Sequence, residues 1–297
     1  MKERLGIIDL GTNTFNLLIV DRHAQGFDRV FSTKEGVGLG LGGINDGFIA
    51  DDAMNRGVVA LSDFMNKCKE LNCEKVKAFA TSAIRDASNG DEFVKLLNEK
   101  LSLEVEVISG DREAELIHQG VKIGYPFNED VIIMDIGGGS TEFIYSDQEK
   151  VKKAHSFNIG TARIYQLFDF EDPYTNENIE SVTNYLEENT SGFFDDIKTN
   201  VLIGASGSFE TFYAVLNHKE YPENNFEDMN AEALIPILDE MIFSSYKERM
   251  KNPFIIPIRK KMAPIAAIKI KWILEKLNIK TLTISPFAMK EGVIQLM

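Results

Sequence analysis

One device occurs twice in this chain and limits what it can fold into. Ile8-Asp9-Leu10-Gly11-Thr12-Asn13-Thr14 follows an apolar run. Met134-Asp135-Ile136-Gly137-Gly138-Gly139-Ser140-Thr141 follows another, 126 positions later (135 − 9). In each, an aspartate closes a strand-like run, a turn of small residues follows, and a second apolar run begins. Small residues let backbone N–H groups converge on an anion. Hydroxyls add donors, and the aspartate can hold a cation that shields a phosphate. Two copies predict two similar halves that grip a phosphorylated ligand between them.

Around these turns, strands alternate with helices. Strands are predicted at residues 6–10, 15–20, 76–80, 103–108, 131–136, 142–145, 201–203 and 281–284. Met54, Val58, Leu61, Met65 and Cys68 recur at helical spacing and predict a helix over 51–71. Further helices are expected near 93–97, 111–122, 163–168 and 176–188, then after 208, over 262–277 and from 289. The glycine-rich segment 31–45 reads as a loop over the cleft. Gly124-Tyr125-Pro126 reads as a boundary, because proline disfavours helix at the preceding position. The alternation implies an α/β fold. The strand–turn–strand openings argue against a plain Rossmann unit, and no G-x-x-x-x-G-K-[ST] loop is present.

A chain of 297 residues has room for two cores. No apolar run reaches the roughly 18 residues of a membrane helix. Asp9, Gly11 and Asn13 interrupt the N-terminal apolar run, which argues against a secretory signal. Cys68 and Cys73 make neither a disulfide framework nor a zinc site, and read as reduced thiols of a cytoplasmic protein. The four histidines are scattered, and none pairs at metal-ligand spacing. A net charge of −14 argues against a nucleic-acid binder. It also means that a polyanionic substrate must be attracted locally, by placed cations, backbone donors and a divalent metal.

Several residues carry candidate chemistry. Three successive glycines cost backbone entropy, so packing alone explains them poorly. Gly137, Gly138 and Gly139, with Ser140, are expected to grip a phosphate, and Asp135 and Glu142 to hold Mg²⁺ directly or through water. Gly11, Thr12, Asn13 and Thr14 beside Asp9 form the other copy; alone, an Asn-containing turn would look the same. Arg85, after Thr81-Ser82, would give planar recognition at the mouth of a phosphate cleft, whereas the two hydroxyls also suit helix capping. Glu113 opens a helix. It reads either as an acid favoured by the helix dipole or as the carboxylate that orients and deprotonates a water. Gly207 and Ser208 lie in a Gly204-Ala205-Ser206-Gly207-Ser208 strand–helix turn, an anion site by geometry or a simple N-cap.

Taken together, these motifs resemble the exopolyphosphatase and guanosine pentaphosphate phosphatase (Ppx/GppA) family. Residues 8–15, 80–85, 108–110, Glu113-Ala114, 135–142, 204–208 and Lys290-Glu291-Gly292 match in family order across nearly the whole chain. The resemblance implies two ribonuclease-H-like domains of the actin/Hsp70/sugar-kinase (ASKHA) architecture with an interdomain cleft. Residues 1–124 plus 285–297 would form the first domain, onto which the last helix packs back, and 125–284 the second. It implies Mg²⁺- or Mn²⁺-assisted release of terminal phosphate from polyphosphate or a nucleotide polyphosphate, with a homodimer as the possible assembly. The family's catalytic glutamate falls on Glu113, its phosphate-contacting arginine on Arg85, and its metal-proximal acids on Asp135 and Glu142, with Asp9 the equivalent acid of the first copy. Exopolyphosphatase is the first expectation. Guanosine pentaphosphate hydrolysis, an ATP-dependent kinase and a non-catalytic nucleotide or polyphosphate sensor are the rivals. The chain departs from the family pattern at Arg112, Asn16 and Lys261, and resembles a short form that ends before the helical C-terminal domain of longer members. The basic run Arg259-Lys260-Lys261 reads either as a substrate contact or as a solvated surface.

Overall fold

The computed structural model describes residues 2–147, 150–222 and 224–296. Met1, Gln148, Glu149, Glu223 and Met297, the last residue of the expected first-domain tail, lie outside them. In chain order the elements are β1 (Glu3–Leu10), β2 (Thr14–His23), β3 (Gly26–Gly36), α1 (Asp51–Glu70), β4 (Lys75–Ala80), α2 (Ser82–Arg85), α3 (Gly90–Leu101), β5 (Val105–Val107), α4 (Gly110–Lys122), β6 (Val131–Ile136), β7 (Thr141–Ser146), β8 (Val151–Phe157), α5 (Thr161–Leu167), α6 (Asn176–Asn189), β9 (Val201–Ala205), α7 (Gly207–Asn217), β10 (Glu227–Met229), α8 (Ala231–Phe243), α9 (Tyr246–Lys251), α10 (Ala263–Lys276), β11 (Thr281–Ile284) and α11 (Met289–Gln295).

The strands form two sheets, ordered β3-β2-β1-β4-β5 and β10-β11-β9-β6-β7-β8. Each begins with an antiparallel meander, β1-β2-β3 or β6-β7-β8. The first strand of each meander then pairs in parallel with a later strand, β4 or β9. The registers repeat as well: Asp9 faces Asn16, and Asp135 faces Glu142. Residues 31–36, expected as loop, complete the edge strand β3. The other meander edge, β8, lies where the sequence predicts no strand. Both edges carry polar, partly solvated side chains, so neither has the apolar run that marks a central strand such as β6.

Side chains alternate between the faces of a strand. Leu5 and Ile7 of β1, Leu18 and Val20 of β2, Val131 and Ile133 of β6, and Ile144 of β7 share one core with α4 and α11. Asp9, Asn16, Asp135 and Glu142 have the same parity on their strands, so all four face this layer between the sheets. The outer faces pack separately, the first sheet against α1 and α3 and the second against α6, α8 and α10.

The helices α4 and α11 fill the middle layer at close range. A Cβ on Gly292 would lie 1.8 Å from Leu116 O, and one on Gly120 would lie 2.0 Å from Ala288 O, so glycine is required at both points. The start of α4 is fixed by Ser109, whose side chain accepts from Arg112 N. Glu113 is thereby held in the first turn, at the level of the two hairpin turns. Among the described residues, no helix is long and apolar enough to cross a membrane.

Candidate active site

Both turns and the start of α4 open onto one cavity of about 590 Å³. Asp9, residues 11–14, Glu113, Asp135, residues 137–140, Glu142, Gly207 and Ser208 all line it. Of the residues singled out in the sequence as site residues, only Arg85 is absent from this wall. The turns do not face each other across an open gap; they touch. A Cβ on Gly138 would fall 2.7 Å from Asn13 Cγ, and one on Gly139 would fall 2.6 Å from Thr12 Oγ1. The turn carbonyls are engaged from behind. Gly40 N donates to Thr12 O and Gly38 N to Asn13 O, while Thr161 N and Ala162 N at the start of α5 donate to Gly137 O and Gly138 O. Among the described residues, Asn13 Oδ1 is buried without a hydrogen-bond partner. An unmet acceptor on a cavity wall suits a bound donor or cation.

The acids are crowded and buried. Glu142 is 1% exposed, Asp135 7% and Glu113 8%. Each acid on the hairpins accepts a hydrogen bond: Asp9 from Asn16 Nδ2 at 2.9 Å, Asp135 from Ser206 Oγ at 2.5 Å and Glu142 from Ser156 Oγ at 2.6 Å. Burial raises Asp9 to about 6, against the pull of Lys290 and Asn16. Burial, then the charge of Asp135, raises Glu142 to about 7. Burial also raises Asp135, with Ser206 opposing. Glu113 stands well above the usual carboxylate range, first through burial and then through Glu142, with Arg85 pulling the other way.

Among the described residues, no group of three or more acidic, histidine or cysteine side chains is gathered closely enough to hold a metal. Asp135 and Glu142, opposite each other in register, do fit a magnesium-type site, which commonly uses one or two carboxylates and fills the rest with water and substrate oxygens. Behind them lies Lys269, fully buried, whose amine donates to Thr141 Oγ1 and Ile159 O.

Arg85 stands behind Glu113 rather than at the cavity mouth. Its Nη1 donates to Glu113 Oε2 at 3.0 Å and to Ile108 O at 3.3 Å, and its Nε donates to Asp86 Oδ1 at 3.2 Å. It lines a smaller neighbouring recess. Neither Ser206 nor Ser208 caps α7. Ser206 holds φ 66°, a backbone conformation that favours glycine, and spends its hydroxyl on Asp135, while Ser208 donates to Ile136 O. Thr81 makes no capping bond either.

A model of the Ppx/GppA phosphatase family matches residues 18–297. The chain belongs to that family. An exopolyphosphatase from Cytophaga hutchinsonii is 32% identical and superposes with a TM-score of 0.95, covering 99% of this chain and 97% of that one. The PPX-GPPA enzyme of Aquifex aeolicus, 24% identical, has the same fold at a TM-score of 0.83 over 100% of both chains. A bifunctional 3-dehydroquinate synthase/phosphatase from Fusobacterium nucleatum is 31% identical over 226 residues, 72% of this chain and 34% of that protein. The chain thus spans about a third of that relative's length. The two mixed α/β sheets give the two-sheet α/β architecture that the resemblance implies, shared over nearly its full length with the Cytophaga hutchinsonii protein.

The chain's departures from the Ppx/GppA pattern have defined places. Asn16 donates its side-chain amide to Asp9. Arg112 pairs with the neighbouring Glu115. The basic run 259–261 splits: Lys261 is exposed, Lys260 is buried and donates to Met250 O, and Arg259 alone reaches the cavity, donating to Gly207 O at 2.6 Å. Sequence reasoning missed Lys34, Glu210 and Lys290 as cavity residues. Burial alone would raise Glu210, but Lys34, Arg259 and Lys290 outweigh it and hold it low. Only Lys290 carried a signal in the sequence, as part of Lys290-Glu291-Gly292.

Proposed function

We propose that the protein hydrolyses the terminal phosphoanhydride bond of inorganic polyphosphate. One observation carries this reading: a single cavity brings both Asp-turn hairpins together beside the buried Glu113. The likeness to the exopolyphosphatase of Cytophaga hutchinsonii supports it.

The terminal phosphoryl group would rest on the cavity wall that residues 11–14 and 137–140 form together, whose N–H groups and hydroxyls donate to its oxygens. Glu113 holds the attacking water and takes its proton. A new P–O bond forms in line as the bridging P–O bond breaks, and the shortened chain leaves with its own charge. Once ionised, a carboxylate raised by burial is a stronger base than a surface glutamate. Arg85 fixes its aim. Asp135 and Glu142 would hold Mg²⁺ or Mn²⁺, which when bound supplies charge neutralisation on the transferred group. Arg259, Lys34 and Lys290 would attract the remaining phosphates locally, against the net charge of −14.

A second reading, hydrolysis of guanosine pentaphosphate, is favoured by one feature. Tyr221 and Phe254 also line the cavity, and an aromatic ring is a surface on which a base can stack. The test is orthophosphate release with Mg²⁺ from short polyphosphate, long polyphosphate and guanosine pentaphosphate, side by side. Preference for polyphosphate supports the first reading and preference for the nucleotide the second. Binding without release from any of the three would leave a sensor and overturn both.

A further inference from the structure

We infer that Asp86 and Arg163 are positioning residues that tie contact between the two halves to the aim of Glu113. The inference rests on the hydrolytic role proposed for Glu113. It goes beyond that role by naming two residues that touch neither substrate nor metal.

The argument is a continuous path of bonds. Asp86, just after α2 in the first half, uses its two oxygens for different partners. Oδ1 accepts from Arg85 Nε at 3.2 Å. Oδ2 accepts from Arg163 Nη2 at 3.0 Å and from Ser82 Oγ at 3.1 Å. Arg85 in turn donates to Glu113 Oε2. Arg163 sits on α5 in the second half. Its Nε donates to Gly139 O at 3.1 Å, in the second phosphate turn, and its Nη1 donates to Ile44 O at 3.2 Å. Gly139, Arg163, Asp86, Arg85 and Glu113 therefore form one chain of hydrogen bonds that crosses between the halves once, at Arg163–Asp86.

Charge and rigidity give this path its effect. Cation and anion alternate along it, so each carboxylate is shared by the guanidinium beside it. A guanidinium is planar, and Arg163 has three nitrogens committed to three different segments, so it cannot follow one and release another freely. The side chains are largely sheltered, with Arg163 12% exposed and Arg85 19%. When the second turn seats against the first half, Asp86 is anchored and Arg85 is held on Glu113. When it does not, Asp86 is left to compete for Arg85.

A structural clasp without catalytic effect is the rival explanation, and the same interface allows the two to be separated. Gln166 Nε2 donates to Gly40 O, Gly42 N donates to Gln166 Oε1, and Asn45 Nδ2 donates to Arg163 O. None of these involves Asp86. The Asp86→Asn variant should therefore keep the halves together while loosening Arg85.

The experiment combines kinetics with a structure. Asp86→Asn is expected to lower kcat for phosphate release by about 10- to 100-fold with little change in KM, as expected when a reacting group is misplaced by about 1 Å. Arg163→Lys, which keeps the charge but not the fork, should act in the same direction. In a Glu113→Gln background, Asp86→Asn should cost almost nothing further, because its effect runs through Glu113. Additive losses, or a raised KM with unchanged kcat, would overturn the inference in favour of a clasp. A crystal structure of Asp86→Asn decides the matter even for a protein that releases no phosphate. Arg85 turned from Glu113 with the Gln166–Gly40 bond intact supports the tie, and an unmoved Arg85 sinks it. Failure of the unaltered protein to release phosphate would instead count against the proposed function.

Discussion

The two hairpins share a backbone and differ in charge. In the first half Asp9 faces an amide that donates to it, whereas in the second Asp135 faces another carboxylate. Asn16 and Glu142 are equivalent by register and lie the same 126 positions apart as the aspartates (142 − 16). The duplicated fold therefore repeats the geometry but concentrates negative charge in one copy only. Equivalent positions can be given separate work: in the proposed mechanism both turns hold phosphate, and only the second copy gathers the charge that a divalent cation would neutralise.

Making the second hairpin copy the first is the strongest way to break that contrast. Glu142→Gln should lower kcat for phosphate release by about 10²-fold or more and shift the Mg²⁺ dependence to higher concentration. Unchanged magnesium dependence would place the cation elsewhere. The same contrast should be visible in stability. Glu142 is raised from 4.5 to about 7, so the folded protein holds a proton that the unfolded chain has released. Its contribution is complete below pH 4.5 and is lost as pH rises through about 7, on the order of 3 kcal/mol. Asp9 acts with the same sign, between 3.8 and about 6. Metal-free thermal melts should therefore fall across this window, and fall less steeply in Glu142→Gln. Saturating Mg²⁺ should flatten the slope; a slope unaffected by both the substitution and the metal would contradict the assignment. The smallest effect is expected from the reverse exchange. Asn16→Asp places like charge beside Asp9 and should raise KM about tenfold, equivalent to ~1.4 kcal/mol, with kcat little changed. A larger loss in kcat than in affinity would give the first hairpin a chemical role as well.

These contrasts were only partly legible in the sequence. The central strands β1 and β6 announce themselves as apolar runs ending in aspartate, and strand parity is enough to turn Asp9, Asn16, Asp135 and Glu142 toward one layer. The edges β3 and β8 hide because partly solvated strands have no such run. Residues 227–259 went without an assignment, although β10, α8 and α9 lie there. At the site, the glycines of 137–139 and Glu113 were readable as local motifs. The position of Arg85 behind Glu113 was not, because it depends on Asp86 and on Ile108 O. Arg163 lies 77 positions from Asp86, and nothing local to either predicts their contact. In the sequence Arg259 is one of three adjacent cations, read together either as a substrate contact or as a solvated surface. It approaches Gly207 closely, where a Cβ would lie 1.9 Å from its Nη2, a contact that nothing local to the run foretells.

Turnover of the Glu113→Gln protein, set beside its affinity for short polyphosphate, bears most directly on the site. The exchange keeps size and hydrogen bonding while removing the base. Orthophosphate release in Mg²⁺ should drop by about 10²–10⁴ with polyphosphate binding retained. Release near the rate of the unaltered protein would mean that another group activates the water.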